Sequence, residues 1–421
     1  MKSNTSINGR LAIIDGVRTP FTKIGTDLAS FDATELGRIA VSQLLARTAI
    51  DPETIDHTII GCVSHPPDAA NIARVIALRA GVPRSVPAMT VQRNCASGLE
   101  ALTSAQEKLY AGRGETFIIG GTESMSQVPM LFSRLAASKF AHLGRARSVA
   151  RRIAALAAFR PADFAPLVGL KLGLTDPVTG MNMGETAEVL AREFQISREE
   201  QDGFALLSHQ RAAASRKFLD DEICPVFEFE SRSPHAVIED NGIREDQSPE
   251  ALARLRPAFD REMGTVTAGN ASQISDGAVA LLVMSERRAE AGGLEPLGFL
   301  ESYAYTGCDP KRMGLGPVPA IARASQPLNL QPADADVMEI NEAFAAQVLA
   351  VLRSIDPGNE IDRANLNPNG GAIALGHPVG ATGARLVLTA LKELNRRQGK
   401  RALVSLCVGG GQGAAAWLSK D

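Results

Sequence analysis

Residues 88–120 read AMTVQRNCASGLEALTSAQEKLYAGRGETFIIG, and the change of period inside this stretch decides the fold class. Ala88-Met89-Thr90-Val91 is a short strand signal. From Cys95 onward Leu99, Leu102, Ala105 and Leu109 fall on one helical stripe, and Gly112 stands where that helix should stop. Residues 116–120 then read as a buried strand ending in Gly120-Gly121. Strand and helix patterns in alternation are the order of an α/β protein.

The same rhythm extends outward. Residues 11–16, 57–63 and 278–284 are strand-like, and residues 34–45 carry Leu36, Ile39, Ala40, Leu44 and Leu45 on one helical side. From Met125 to about Met263 the pattern changes to helix and loop, with charge concentrated at 197–200 and 240–245. The last third repeats the first: strands at 297–304 and 336–340, a long helix over 382–395, and a closing hairpin of 401–406 with 414–418 around a glycine-rich turn. The reading is two similar α/β halves with a helical insertion in the first.

Composition bounds the function. The chain has 421 residues, room for two to three domains at about 150 residues each. It is 45% hydrophobic and 22% charged, values of a globular protein rather than a disordered one. A net charge of −3 gives no electrostatic case for nucleic acid. No run approaches the ~18 apolar residues of a membrane span, and the first residues lack a secretory core. Five cysteines without CxxC spacing suit a reducing compartment, so a cytoplasmic protein is expected.

Four segments carry chemistry. In Val91-Gln92-Arg93-Asn94-Cys95-Ala96-Ser97-Gly98 a cysteine sits where a strand turns into a helix, whose dipole should lower the thiol pKa. Small residues after it would let a substrate approach; a buried structural cysteine is the alternative. In Asn367-Pro368-Asn369-Gly370-Gly371-Ala372-Ile373-Ala374-Leu375-Gly376-His377-Pro378 one histidine lies among glycines, placed either to accept a thiol proton or simply as a structural side chain. Leu406-Cys407-Val408-Gly409-Gly410-Gly411-Gln412-Gly413 puts a second cysteine before a glycine turn that does not fit GxGxxG. It suits proton transfer if its pKa moves towards neutrality. Glu339-Ile340-Asn341-Glu342-Ala343-Phe344 offers an amide that can hold a water and a carboxylate that can order the site. The remaining histidines read as surface or turn residues, and Cys62, Cys224 and Cys308 as inert packed thiols.

Together these segments resemble the thiolases, the acyl-CoA C-acyltransferase family. The resemblance includes Val17-Arg18-Thr19-Pro20-Phe21, Asn71-Ile72-Ala73-Arg74, Gly120-Gly121-Thr122-Glu123-Ser124-Met125-Ser126, Met183-Gly184-Glu185-Thr186-Ala187-Glu188 and Gly264-Thr265-Val266-Thr267-Ala268-Gly269-Asn270-Ala271-Ser272, in order along the chain. It implies the thiolase fold: duplicated βαβαβαββ halves forming a layered α-β-α-β-α core with a mainly helical loop-domain insertion. The halves would be 1–126 with 264–294, and 295–421; residues 127–263 would cover CoA.

The resemblance implies Cys95 as the acylated nucleophile, His377 as its activator and Cys407 as general acid/base. One oxyanion hole would use His377 with a water held by Asn341, the other the backbone N–H groups of Cys95 and Gly409. Such donors contribute about 3–4 kcal/mol each. Ser272 would contact pantetheine, Arg244 the nucleotide end, and Met183, Met313 and Phe344 the acyl pocket. The implied reaction is thiolysis of a 3-ketoacyl-CoA through an acyl-enzyme, reversible as a Claisen condensation. CoA is the co-substrate, no cofactor is held permanently, and no metal or nicotinamide is called for. The family implies a homodimer or homotetramer.

Two departures matter. Asn182 stands where many biosynthetic short-chain thiolases carry His, and Asn341 where thiolase subunits of long-chain complexes commonly carry His. Within residues 130–181, Arg145, Arg147, Arg151 and Arg152 are expected on one side of a basic amphipathic helix, with Val149, Ile153 and Leu156 on the other. That segment leaves open a hydratase/dehydrogenase partner subunit, a peripheral membrane contact, a patch facing the CoA phosphates, or simple packing on its own domain. A decarboxylating ketoacyl synthase would not need Cys407, and a non-catalytic acyl carrier would not need all four chemical positions.

Overall fold

The computed structural model describes residues 9–229 and 234–421. Its main strands are β1 (Leu11–Arg18), β2 (His57–Gly61), β3 (Ala88–Val91), β4 (Thr116–Glu123), β5 (Ser275–Ser285), β6 (Gly298–Gly307), β7 (Val337–Ile340), β8 (Arg401–Val408) and β9 (Gln412–Ser419). They lie in the order β7-β8-β9-β6-β1-β5-β4-β2-β3, with the short strand Thr22–Lys23 added to β5. In the first half β1, β5 and β4 are antiparallel, and β4, β2 and β3 continue in parallel. The second half repeats the plan with one strand fewer: β6, β9 and β8 antiparallel, then β7 parallel. The halves meet where Leu11, Ala12 and Ile13 of β1 pair Leu300, Phe299 and Gly298 of β6.

The principal helices are α1 (Ala33–Thr48), α2 (Ile72–Arg79), α3 (Ser97–Tyr110), α4 (Arg134–Arg145), α5 (Val149–Ala157), α6 (Met183–Glu193), α7 (Arg198–Ala214), α8 (Pro317–Ser325), α9 (Ala345–Ile355) and α10 (Val379–Arg397). Their apolar stripes sort them into layers. Leu36, Ala40 and Leu44 of α1 and Ile72 and Ile76 of α2 pack on the outer face of the first half-sheet. Ile321 of α8 and Val348 and Val351 of α9 do the same for the second. Leu99, Leu102 and Leu109 of α3 and Leu386, Leu388 and Leu391 of α10 fill the space between the half-sheets. The result is the α-β-α-β-α layering expected. β4 and β5 are buried at every position, because helices cover both their faces.

α3 and α10 pack so closely that they need glycine. A Cβ on Gly98 would lie 2.6 Å from the Ala384 nitrogen, and one on Gly383 2.5 Å from that of Leu99. Gly98 is therefore small in order to seat α10, Ser97 packs against Gly61, and Ala96, Ser97 and Gly98 are buried rather than opening a path to sulfur as the sequence suggested.

The insertion is tied to β1 by a buried ion cluster. Arg18 pairs Glu222 at 3.0 Å and Asp240 at 2.7 Å, and Asp240 also accepts the Phe21 N–H at 2.7 Å. The single basic helix expected across residues 145–152 is broken instead. α4 ends at Arg145, and Ser148 caps α5 by accepting the Arg151 N–H. The apolar face of α5 is not packed on its own domain either: Val149, Ile153 and Leu156 are 74%, 63% and 56% exposed.

Candidate active site

After β3 the chain makes a tight turn into α3 with Asn94 in the left-handed region at φ 44, a conformation asparagine tolerates better than most residues. Ser97 Oγ accepts the Arg93 N–H at 2.9 Å and donates to the Asn94 carbonyl at 2.7 Å, which fixes the turn. Asn94 Nδ2 then donates to the Gly409 carbonyl at 2.8 Å, joining the Cys95 turn to the turn that follows Cys407. Cys407 is near the end of β8, and Gly410 and Gly411 adopt φ 88 and 79 in the hairpin to β9. His377 enters from a third direction. Gly376, at φ 106, passes so close to Ser275 that a Cβ would lie 2.4 Å from its hydroxyl, and the His377 N–H donates to the Gln273 carbonyl at 3.1 Å.

These three segments open onto one cavity of 440 Å³. Cys95, His377, Cys407 and Gly409 line it together with Ser272, Met183, Met313 and Phe344. Arg244 is exposed and does not line the cavity; its N–H donates to His209 Nδ1 at 3.2 Å. Asn341 is fully buried behind the wall, and both polar atoms of its amide lack a hydrogen-bond partner among the described residues. Glu342 accepts from Ser208 Oγ at 2.6 Å, Asn367 Nδ2 at 2.8 Å and the Ile373 N–H at 3.2 Å, and so orders the 367–373 loop leading to His377.

The electrostatics correct two expectations. Burial pushes the Cys95 thiol up, not down; the N–H groups of Gly409 and Cys95 act in the opposite direction but do not win, and the Glu123 charge adds to the rise. α3 begins only at Ser97, so few donors reach the sulfur, and dehydration outweighs them. Cys407 is pushed well above the usual thiol range by burial, with Cys95 and Cys308 adding, rather than towards neutrality. His377 is pushed down to about 4 by burial and by Arg385. The resting site is thus two thiols and a neutral imidazole.

The tautomer of that imidazole follows from Thr382. Its Oγ1 donates to the Pro378 carbonyl at 2.9 Å and lies 2.6 Å from His377 Nδ1. Where its one proton is directed at Pro378, the hydroxyl accepts from Nδ1–H, and that tautomer leaves the Nε2 lone pair as the proton acceptor. The arrangement can therefore form a thioester at a neutral cysteine, with one base, one thiol acid and fixed N–H donors.

Several side chains depart from the sequence reading. His209 is buried and pushed down to about 4, not on the surface, and Cys308 is half-buried rather than packed. Asn182 caps α6 through Oδ1, which accepts the Gly184 N–H at 3.0 Å. Asn94, Thr382 and Glu123 had no assigned role; all three lay inside or beside quoted motifs, and an i, i+5 spacing from His377 was the only signal for Thr382.

A duplicated five-layer core with two thiols and an imidazole facing one cavity defines an acyl-transfer enzyme of the thiolase type. The thiolase N-terminal domain family matches residues 11–287 and the thiolase C-terminal domain family residues 294–420, and the chain belongs to the thiolase family of acyltransferases. It is 42% identical over 410 residues to beta-ketothiolase BktB of Cupriavidus necator, covering 96% of this chain and 98% of that one. The acetyl-CoA acetyltransferase of Bacillus anthracis superposes with a TM-score of 0.89 at 37% identity, covering 99% and 100%. Human mitochondrial 3-ketoacyl-CoA thiolase in complex with CoA superposes at 0.87 and 37%, covering all of both chains.

Proposed function

We propose that the chain cleaves 3-ketoacyl-CoA with free CoA, giving acetyl-CoA and a shortened acyl-CoA, as in fatty acid β-oxidation. The observation that carries this reading is the convergence of Cys95, His377 and Cys407 on one largely apolar cavity. His377 Nε2 takes the Cys95 proton as sulfur attacks the 3-keto carbon. The bond between C2 and C3 breaks, leaving the acyl group on Cys95, and Cys407 gives its proton to the acetyl-CoA enolate. Cys407 then takes the thiol proton of incoming CoA, the CoA sulfur attacks the acyl-enzyme, and Cys95 recovers its proton from His377.

Gly409 and Cys95 N–H groups support one oxyanion, and the unpartnered Asn341 amide suits a bound water beside His377 for the other. Ser272, Met183, Met313 and Phe344 line the cavity, which supports the pantetheine and acyl-chain roles, and Arg244, outside it, is assigned the nucleotide end. The domain division is 1–126 with 264–294, 127–263 and 295–421. The setting is cytoplasmic, the assembly a homodimer or homotetramer, and the basic, exposed α5 a contact for an anionic membrane or partner surface. Among the described residues no helix is long and apolar enough to cross a membrane.

The second reading is an acetoacetyl-CoA-forming biosynthetic thiolase. Asn182 serving as a helix cap rather than lining the cavity favours the degradative one. Thiolysis measured across 3-ketoacyl-CoA chain lengths, with mass detection of an acyl group on Cys95, tests both. Activity on substrates longer than acetoacetyl-CoA is expected, and Cys95→Ala should abolish it. Wild-type turnover by Cys95→Ala would refute the mechanism.

A further inference from the structure

Glu123, the last residue of β4, is fully buried yet lines the catalytic cavity, and the reaction sequence above does not use it. Its carboxylate gathers donors from two separate segments. Oε1 accepts the Ser64 N–H at 2.8 Å, and Oε2 accepts the Val63 N–H at 3.1 Å and the Gly380 N–H at 2.9 Å. The Cys62 thiol lies 3.9 Å from Oε1. Gly380 is the second residue of α10, three positions after His377, while Val63 and Ser64 form part of the cavity wall after β2. The contact is close-fitting on both sides: a Cβ on Gly121 would fall 1.9 Å from the Gly380 carbonyl, and one on Gly380 3.0 Å from Glu123 Oε2.

We propose that Glu123 is a positioning residue for the acyl transfer: it clamps the first turn of α10, and His377 with it, to the 62–64 wall, and it sets a negative charge near the Cys95 thiol. The inference rests on the assignment of Cys95 as nucleophile.

The clamp needs an acceptor on both oxygens, since each receives at least one backbone N–H. An amide in its place must turn an NH2 towards one of those donors, so a glutamine cannot keep all the bonds. The charge has a separate effect. Burial raises the Glu123 carboxyl to about 7, so it ionises as the solution passes neutrality, and the ionised form holds the Cys95 proton more tightly. The titratable groups facing it are the Cys62 thiol at the end of β2 and the Cys95 thiol on the turn before α3. On β5, Asp276 turns away to accept the Ser126 N–H at 2.8 Å, and α10 presents only its N-terminal peptide groups. The charge thus keeps the nucleophile as a thiol until His377 is aligned to take its proton.

Glu123→Gln and Glu123→Asp separate the two effects. Carbamidomethylation of Cys95 by iodoacetamide, read by mass spectrometry of the Cys95 peptide as a function of pH, reports the thiol without turnover. Steady-state thiolysis reports the clamp. In Glu123→Gln the alkylation midpoint should move to lower pH, with a rate gain of about threefold at pH 8, while kcat falls roughly tenfold and KM stays close to wild type. Loosened packing alone would also speed Cys95, so the variant that keeps the charge without the clamp supplies the control. Glu123→Asp retains the charge on a side chain too short to reach both segments, so it should keep the wild-type alkylation profile and still lose kcat. Unchanged Cys95 alkylation in Glu123→Gln would overturn the charge, and wild-type kcat in Glu123→Asp would overturn the clamp. Absence of acyl transfer by the wild-type protein would strike the thiolase mechanism instead, and the alkylation readout is independent of it.

Discussion

Replacing Thr382 by valine tests the active site at its most economical point. The change keeps the side-chain shape and removes the hydroxyl that accepts the His377 Nδ1–H at 2.6 Å. In the buried pocket an unpaired Nδ1–H costs about 1–3 kcal/mol, so the ring should shift to the tautomer that carries its proton on Nε2. That tautomer cannot accept the Cys95 proton. Returning to the productive one costs the same 1–3 kcal/mol, and at 1.36 kcal/mol per tenfold kcat should fall by roughly 5- to 150-fold. KM should change little, because Thr382 is buried in α10 and does not line the cavity. Steady-state thiolysis of a 3-ketoacyl-CoA by wild type, Thr382→Val and Thr382→Ser is the assay, since serine restores the acceptor. A Thr382→Val enzyme within twofold of wild type, or a serine variant as slow as the valine one, would refute the tautomer argument.

Three further outcomes follow from the geometry. Arg18→Ala leaves Glu222 and Asp240 as uncompensated buried carboxylates and should cost about 3–5 kcal/mol, read as a lowered denaturant midpoint. His209 has its pKa depressed from 6.5 to about 4 by burial and by Arg244 and Lys23, so the unfolded chain binds the extra proton between those values. Stability present above pH 6.5 is therefore lost as pH falls towards 4, and His209→Gln should narrow the gap between midpoints measured at pH 7.5 and pH 5. Reversing Arg151 and Arg152 to Glu on the exposed α5 should abolish co-sedimentation with anionic liposomes; retention of binding would remove the surface contact.

The layered core was legible because its signals are local. The leucine stripe of α3, the apolar run of β5 and the hairpin glycines at 409–411 each declare their element within a few residues. The cysteines and the histidine were legible for the same reason, each marking the end of an element. What escaped was set by partners far along the chain. Nothing near Cys95 announces that burial outweighs the first turn of α3, or that Gly98 is small for the sake of Ala384. Asn94 acquires its task only when Gly409 arrives, and Glu123 only when Gly380 does. The break before α5 could have been found, because Ser148 three residues ahead of Arg151 is an N-cap signal within the basic run.

The seam between β1 and β6 has a mechanical consequence. Main-chain bonds run from one repeat into the other, and α3 and α10 are pinned between them, so Cys95, His377 and Cys407 sit on what is effectively one rigid frame. A hinge opening of the repeats would tear that ladder. Any movement that admits a ligand is then expected in the segments holding Val128, Leu170, Leu174 and Val178, which line the same cavity from outside the main sheet.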